Sequence, residues 1–501
     1  MIFKLLIVFG ALCAIYYLKR LYNEFYWKKR GVKFYPKGKV IGPLGIFLTK
    51  KQALFEIFID IYKMYPNEPA VGVGSILNPA LYVKDPTNVQ HVLSLDFNSF
   101  YHRGFDVNEN DLLANNILFL NGSKWKLIRQ TMTPLFTSSK LKSMYYIIDR
   151  SAQDFVEYLN NNQEKLKGDM FNTLSTFSSA AIGAAVFGIG TESIFNSPFL
   201  KMAQNSMTPT FSQNIKFVIS AFNGTLYKLL RIKLYKQHEE FFIGAVKQVI
   251  RQREQEKIRR HDFADLCVNI QNNGVLKDPD SGLEIYPTDE VLAAQAFFFF
   301  IAGVEPSAAA MQATLIELGR NPDALKRVHD EIDSAFKKHN NTITYDIIQE
   351  MEYLEMSLNE SMRIHPSVGY LTRECVRDTV LPVGNIKVEK GTKIFTPLYE
   401  FHHDSNIFPD PQVFKPERFS RENRSTIADN VFMPFGKGNR LCVGTRYATL
   451  QVKAGLVHLL RNFTVTTEIG EGGIKYKKHH TQVRPYNVRI ELFPRNKERI
   501  E

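Results

Sequence analysis

The sequence predicts a mainly helical protein that carries small β-sheets. Apolar residues recur with helical spacing at residues 51–64, 121–160, 170–188, 233–258, 287–319, 321–338 and 351–364. Segments rich in strand-forming residues are short and lie at residues 69–84, 379–398 and 463–496. No internal repeat or low-complexity linker follows residue 45, so we expect residues 46–501 to form a single domain.

Length and composition are those of a globular protein. The 501 residues are 44% hydrophobic and 23% charged, which excludes disordered, collagen-like and coiled-coil chains. The 63 Lys+Arg and 51 Asp+Glu residues give a net charge of +12, which suits nucleic acid, an anionic membrane or an acidic protein partner. Because no long basic run contains interleaved aromatic residues, we expect no nucleic-acid binding. The four cysteines include no CxxC pair, which indicates a reducing compartment.

An uncharged apolar run at residues 5–18 indicates a membrane segment. A helix needs about 20 apolar residues to cross a bilayer, and the first 18 residues suffice if Lys4 reaches the membrane surface. A cleaved signal peptide would need small residues where this chain has bulky ones; a buried core helix is the other alternative. We predict a transmembrane signal anchor at residues 1–20 and a basic, proline-containing hinge at residues 21–45. The heavier positive charge after the run places the remaining chain in the cytosol.

A glycine-rich loop at residues 435–444 carries the group best suited to chemistry. It reads Phe-Gly-Lys-Gly-Asn-Arg-Leu-Cys-Val-Gly and precedes a stretch with helical spacing. Glycines let amide N–H groups approach the sulfur of Cys442, and a helix N-terminus favours a thiolate. Such a sulfur is a metal ligand or a nucleophile, although no His that could act as a base is near in sequence. A buried inert cysteine is the alternative, but it would not require the flanking glycines.

The loop pattern F-G-x-G-x-R-x-C-x-G resembles the haem-binding signature of the cytochrome P-450 family. This resemblance implies the family fold, a helical prism around a buried haem b, with Cys442 as the thiolate ligand of the iron. It further implies cofactor-binding roles for Phe435, Gly436, Arg440 and Gly444, with Arg440 pairing with a haem propionate. The resemblance extends over nearly the whole chain, and residues 133–137 are most similar to insect microsomal members of the detoxifying branch.

Glu360 and Arg363 stand three residues apart on a predicted helix, so their side chains share one face. By spacing alone this is a routine surface ion pair. The pair resembles the family's ExxR motif, and residues 416–419 (PERF) resemble the segment that supplies Arg418. The resemblance implies a buried ionic network of Glu360, Arg363 and Arg418 on the proximal side of the haem.

Other residues resemble the family's propionate partners. Trp125 and Arg129 are four residues apart on one predicted helical face, where a surface cation–π pair is the alternative. The resemblance implies that they bind a haem propionate, together with Arg373 and, on weaker similarity, His102 and Arg103. A guanidinium suits this role because it binds a carboxylate through two hydrogen bonds.

The predicted helix 287–319 departs from the family pattern. Ala302, Gly303 and Glu305 match A-G-x-E/D-T-T/S, but Pro306 replaces the threonine whose hydroxyl helps deliver protons in the family. Proline has no hydroxyl and no N–H, and it kinks a helix. Ser307, an ordered water or a substrate hydroxyl are alternative proton donors, and Glu305 is a candidate acid in the relay. These five residues, 302, 303 and 305–307, are the catalytic residues that the resemblance implies.

The implied activity is a haem-thiolate monooxygenase that inserts one oxygen atom from O2 into apolar small molecules such as xenobiotics, insecticides, hormones or lipids. Electrons from NADPH would arrive through NADPH–cytochrome P-450 reductase, with cytochrome b5 as an optional second partner. The reaction would occur on the cytosolic face of the endoplasmic reticulum membrane, and Lys437 could help dock an acidic reductase. Pro306 keeps two alternatives open: a haem-thiolate isomerase or dehydratase without a reductase, and a haem-containing sequestering protein with little turnover.

Overall fold

The computed structural model describes residues 2–49, 51–76, 78–188, 195, 200–201, 210–222, 224–256, 260–478 and 480–495. The prediction of a mainly helical protein with small sheets is confirmed. The longer helices are Ile2–Lys28, Leu54–Met64, Gly122–Met132, Ser138–Asn161, Met170–Phe187, Phe211–Phe222, Lys236–Glu256, Phe263–Asn272, Asp289–Arg320, Pro322–Lys338, Glu352–Ile364 and Thr445–Asn462. Short α-helices span Pro43–Leu48, Pro86–Gln90, Phe97–Phe100, Gly224–Leu229, Tyr345–Glu350, Tyr399–His402 and Arg421–Arg424.

The predicted helical stretch 121–160 is interrupted. A 3₁₀ turn, Thr133–Phe136, separates the helices Gly122–Met132 and Ser138–Asn161. Pro134 explains the break, because it offers no N–H to the preceding turn and disfavours helical backbone at the residue before it. Other irregular turns lie at Leu112–Ala114, Gln163–Leu166, Pro416–Phe419 and Gly438–Arg440 (3₁₀) and at His91–Leu95 (π).

Each predicted β-rich segment contains strands. A five-stranded sheet has the order Lys33–Phe34, Ala70–Val73, Ala80–Val83, Lys393–Pro397 and Tyr370–Glu374. In it the first and third pairings are parallel and the other two are antiparallel. Two-stranded antiparallel sheets pair Thr379–Leu381 with Ile386–Val388, Leu276–Lys277 with Glu284–Ile285, and Phe463–Ile469 with Val488–Pro494.

The helix Asp289–Arg320, called the central helix below, organises the core. Its most extensive packing partner is the helix Met170–Phe187, and it also packs against Glu352–Ile364 and Thr445–Asn462. Glycine at position 303 favours this close approach, because a Cβ there would lie 3.0 Å from the Ile182 side chain. The central helix and Met170–Phe187 are long and apolar enough to span a bilayer, but 61% and 94% of their apolar windows are buried inside the protein. Burial therefore accounts for their apolar character.

The N-terminal helix continues beyond the predicted anchor, from Ile2 to Lys28. Ile15 to Leu18 are more than half exposed, whereas Trp27 is 1% exposed. The following strand Lys33–Phe34 joins the five-stranded sheet. The far end of this helix and part of the segment predicted as a hinge are therefore attached to the body, while the boundaries at residues 20 and 45 stay a prediction.

Gly72 should be needed for this attachment. A Cβ at Gly72 would overlap the Trp27 side chain, so we expect Gly72→Ala to lower the free energy of unfolding by about 1–3 kcal/mol. Gly244 is the matched control: a Cβ there meets nothing within 4 Å, and it lies in the helix Lys236–Glu256. Gly244→Ala should leave stability unchanged or raise it by up to about 1 kcal/mol. Urea denaturation of both variants measures the difference, and equal stabilities would contradict the packing of Trp27 on Gly72.

Candidate active site

The cysteine loop is held in a tight double turn. Gly436 and Gly438 have φ angles of 82° and 70°, in the left-handed region that favours glycine. A Cβ at Gly438 would also overlap the backbone carbonyl of Leu93, so this loop can approach its neighbour only with glycine. The Cys442 N–H donates to the Phe435 carbonyl oxygen at 3.0 Å and closes the loop. The helix Thr445–Asn462 begins directly after Gly444.

Cys442 is an exposed residue, although the surrounding protein desolvates its thiol. Burial raises the pKa of the Cys442 thiol. The Gly444 backbone and the guanidinium groups of Arg103 and Arg129 act in the opposite direction and favour the thiolate. The nearby cations therefore oppose the effect of burial on the sulfur without outweighing it, and a bound metal ion would add the positive charge that favours the thiolate.

Four arginines surround this region without an acidic partner. Arg440 is 2% exposed and Arg373 is 3% exposed. Burial and the neighbouring arginines lower the pKa of Arg440 to about 8 and of Arg373 to about 9. Burial lowers the pKa of Arg103 to about 10, with Arg129 acting in the same direction. In the described part of the chain, none of these four guanidinium groups has a carboxylate within ion-pair distance.

Such a cluster suits an anionic ligand. Buried charges without a counter-charge are costly, and the Nε atoms of Arg103 and Arg373 also have no hydrogen-bond partner. A group with two carboxylates would supply both the counter-charge and the missing acceptors. Haem has two propionates and an iron that binds a thiolate, so the cluster and the Cys442 sulfur together fit a haem.

Arg440 is the most fully fixed member of the cluster. It donates to the carbonyl oxygens of Tyr101 (2.9 Å) and Leu120 (3.0 Å) and to Asn121 Oδ1 (2.9 Å). Its guanidinium lies 3.9 Å from the centre of the Trp125 ring. The ring of Trp125 thus stacks with Arg440, which sequence spacing alone did not indicate. Arg129 is half-buried beside the Cys442 sulfur.

His102 belongs to a different cluster from Arg103. Its Nδ1 accepts the Gly104 N–H at 2.9 Å and lies 3.4 Å from the Glu374 carboxylate. The Lys393 ammonium also contacts Glu374 and donates to the Gly104 carbonyl oxygen. Burial lowers the pKa of His102 and favours its neutral ring, which lies beside the Lys393–Glu374 ion pair. Only Arg103 lies within the arginine cluster.

Glu360, Arg363 and Arg418 form a buried ionic network. Arg363 makes two 2.7 Å hydrogen bonds to Glu360, and both side chains are 0% exposed. Arg418 Nε donates to Glu360 at 3.2 Å, and the Lys415 N–H donates to the same oxygen at 3.1 Å. A third bond joins Arg363 to the carbonyl oxygen of His402. The network ties the helix Glu352–Ile364 to the segment that leads into the cysteine loop.

The central helix exposes one face near Pro306. Phe298, Ile301, Ala302 and Glu305 are incompletely buried and are spaced as one helical face. Phe297, Phe299 and Phe300 are buried in the core and pack against other aromatic rings, Phe297 against Phe242 among them. Most of the phenylalanine run is therefore core, and residues 298, 301, 302 and 305 line the open side.

Pro306 alters the hydrogen bonds of this helix. It provides no N–H for the Ala302 carbonyl oxygen, which lies one turn earlier. The Gln451 amide, from the helix after the cysteine, donates to the adjacent Gly303 carbonyl oxygen at 3.4 Å. Ser307 is 3% exposed. Support for the helix near the proline thus comes partly from another helix.

Glu305 is paired with a residue that the sequence analysis did not single out. The Nη1 atom of Arg484 donates a hydrogen bond to the Glu305 carboxylate at 3.2 Å. Burial raises the pKa of Glu305 to about 7, and the Arg484 charge opposes that rise. Arg484 and Gln451 both lie far from the central helix in sequence, and no local pattern marks either of them.

The buried network allows a direct test of its cost. Removing the charge of Glu360 leaves the Arg363 and Arg418 guanidinium groups without a counter-charge. Glu360→Gln should therefore lower the free energy of unfolding by about 3–5 kcal/mol. Glu352 is the matched control on the same helix, because its side chain and that of its partner Arg421 are 54% and 87% exposed. Glu352→Gln should cost about 0–1 kcal/mol. Similar losses in urea denaturation would contradict the burial of the network.

Comparison with known proteins agrees with this site. The sequence model of the family "Cytochrome P450" matches residues 36–490. The chain is 31% identical over 506 residues to "Probable cytochrome P450 6d4" of Drosophila melanogaster, and the match covers 96% of each chain. It is 32% identical over 477 residues to "Cytochrome P450 6k1" of Blattella germanica, covering 92% of this chain and 91% of the relative. "Cytochrome P450 6B2" of Helicoverpa armigera is 29% identical over 496 residues, with 96% of each chain covered.

The predicted resemblance, including its similarity to insect members, is confirmed by these matches. The family relationship implies a haem cofactor and monooxygenase chemistry. The chain belongs to the cytochrome P-450 family and is a haem-dependent monooxygenase.

Proposed function

We propose that this protein inserts one oxygen atom from O2 into apolar small molecules, with Cys442 as the thiolate ligand of its haem. The observation that carries the proposal is the position of Cys442, an exposed residue, near four arginines that have no carboxylate partner in the described chain. When bound, the haem supplies the iron at which O2 is activated, and a thiolate ligand donates electron density to it.

The residues around the cysteine would hold the group in one orientation. Arg103, Arg129 and Arg373 offer guanidinium groups for the two carboxylates, and Arg440 holds this region together through its own hydrogen bonds. Gly436 and Gly444 would keep the loop that carries Cys442 compact. The Phe435 carbonyl oxygen closes this loop by accepting the Cys442 N–H. The buried network at Glu360 would fix the segment that precedes the loop.

On the distal side, Glu305 is the chain's own titratable group on the open face of the central helix. A carboxyl with a pKa of about 7 can both hold and release a proton at neutral pH. The freed carbonyl of Ala302 and the hydroxyl of Ser307 are the other polar groups near Pro306. We propose that Glu305 carries the proton-transfer role without the usual threonine, with Gly303 allowing the helix to pack closely at this point.

An apolar cavity supports small hydrophobic substrates. It lies between the N-terminal segment and the five-stranded sheet. Its wall includes Leu44, Phe105, Phe217 and Phe395, and it reaches Arg373 of the arginine cluster. Apolar and aromatic walls of this kind are typical of sites for small organic ligands.

We further propose that electrons from NADPH arrive through a membrane flavoprotein reductase, with cytochrome b5 as an optional second donor. The net charge of +12 suits an acidic partner, and Lys437 lies in the cysteine loop, although it is 3.6 Å from Asp429. Exposed apolar residues on the N-terminal helix, from Ile15 to Phe25, support its insertion into the endoplasmic reticulum membrane. The basic residues that follow would keep the catalytic domain on the cytosolic face.

Pro306 supports a second candidate function, a haem-thiolate isomerase or dehydratase that rearranges peroxides without a reductase. Neither this reaction nor simple sequestration of a ligand needs the proton delivery that the threonine supports. Product formation with and without NADPH and reductase separates these functions. NADPH-dependent oxygenation supports the monooxygenase; turnover of a peroxide without NADPH supports the isomerase, and binding without turnover supports sequestration.

Cys442→Ala should abolish the thiolate-type spectrum of the reduced, CO-bound protein, because it removes the proposed iron ligand. Cys13→Ala is the matched control, since Cys13 is exposed on the N-terminal helix. The control should keep the spectrum in full. Circular dichroism confirms that both variants fold, and a normal thiolate spectrum in Cys442→Ala would overturn the assignment.

Pro306→Thr should raise the amount of product formed per NADPH consumed several-fold, because it places a hydroxyl beside Glu305. Pro306→Ala is the control: it restores an N–H for the Ala302 carbonyl but adds no hydroxyl, so the ratio should not rise. Product and NADPH are measured together in a reconstituted system. No change, or a fall, in Pro306→Thr would mean that the site works with proline and does not lack a hydroxyl.

A further inference from the structure

Arg484 lies in the irregular segment between the strands Phe463–Ile469 and Val488–Pro494. Its position is fixed by backbone hydrogen bonds: its carbonyl oxygen accepts the Lys477 N–H at 2.9 Å, and the Val483 N–H donates to the Ser367 carbonyl oxygen at 3.1 Å. The side chain is buried, with 4% of the residue exposed. A buried arginine on an irregular segment needs a specific partner, because its charge is otherwise costly.

The partners of Arg484 come from two different helices. Its Nη1 atom donates a hydrogen bond to the Glu305 carboxylate of the central helix at 3.2 Å. The guanidinium carbon lies 3.2 Å from the centre of the Phe171 ring, at the start of the helix Met170–Phe187. The aromatic face and the carboxylate together leave the guanidinium a single orientation. That orientation in turn restricts where the Glu305 carboxylate can lie.

The charges around this pair are few. Among the described residues, Arg484 is the charged group that acts on the Glu305 carboxylate, and Asp169 is the other acid that acts on Arg484. Glu305 follows Ala302 by three residues, so both lie on the open face of the central helix. Pro306 brings no hydroxyl to this face, which leaves the Glu305 carboxylate as its titratable group.

We propose that Arg484 is a positioning residue for Glu305: its guanidinium holds the carboxyl group in place on the open face of the central helix, where the group can accept and release a proton. This inference rests on the proposed role of Glu305 in proton transfer. Arg484 touches neither substrate nor haem in the proposal and acts only through Glu305. The pair would thereby support proton transfer at a position where the chain has proline.

The direction of the effect follows from the two opposing influences on Glu305. Burial favours the neutral carboxyl, and the Arg484 charge favours the carboxylate. Without Arg484, the pKa of Glu305 rises above its present value of about 7, so less of it is ionised at neutral pH. Any step that needs the carboxylate should then require a more alkaline solution.

The test uses Arg484→Met, which keeps an apolar contact to Phe171 but removes the charge, and Arg484→Lys, which retains a charge. In Arg484→Met, the pH midpoint of product formed per NADPH should move up by roughly 1–3 units, the shift expected for loss of a close opposite charge. Arg484→Lys should restore most of the original midpoint. Glu305→Gln should remove this pH dependence, and adding Arg484→Met to it should have no further effect.

Two measurements separate positioning from folding and from the proposed reaction. Arg253→Met is the matched control, because Arg253 is also a buried arginine, with bonds to Asp262 and Asp265, and should not move the midpoint. Infrared difference spectra between acidic and alkaline pH report protonation of Glu305 without turnover, the band being assigned by its loss in Glu305→Gln. In Arg484→Met, a higher pH midpoint for the change in that band supports the pairing even if no substrate is oxygenated. An unchanged pH midpoint overturns the proposal. A shifted band with an unchanged turnover profile would overturn its catalytic part.

Discussion

The constraint on which the site depends is the clustering of four arginines, two of them buried and two partly buried, near one cysteine. They come from separate parts of the chain: the segment after Phe97–Phe100, the helix Gly122–Met132, the strand Tyr370–Glu374 and the cysteine loop. Burial and mutual repulsion depress the pKa of Arg373 and Arg440, which shows how unfavourable these charges are together. A ligand with negative charge would relieve that repulsion, so the cluster suits an anionic cofactor such as haem.

A second cluster of arginines, next to the segment that leads into the cysteine loop, has its own counter-charge. There the Arg363 and Arg418 charges are answered by Glu360, which is itself fully buried. A complete network of this kind orients the segment around Lys415, whose N–H also binds Glu360. The protein thus contains two clusters of arginines. In one, Glu360 supplies the counter-charge; the other has no carboxylate partner among the described residues and suits an anionic ligand.

The central helix shows how a local departure from a pattern is supported from outside. Pro306 removes a hydroxyl and an N–H at one point. Gln451 donates to the carbonyl of Gly303, and Arg484 contacts the carboxylate of Glu305, so two distant segments contact the turn that precedes Pro306. Packing against Ile182 at Gly303 keeps the helix in place despite the proline. The departure from the family pattern is therefore confined to the hydroxyl and the N–H that Pro306 lacks.

The sequence by itself determined the elements and motifs whose spacing is local. Helices follow from apolar residues every three to four positions, the Glu360–Arg363 pair from its separation of three, and the tight cysteine loop from its glycines. Tertiary structure alone decided which distant groups meet. It placed Arg440 rather than Arg129 on the Trp125 ring, buried most of the phenylalanine run, packed Trp27 against the sheet, and paired Glu305 with Arg484, 179 residues away. Local spacing describes one helix or turn at a time, whereas contacts between elements depend on how their surfaces pack, and no pattern along the chain records that.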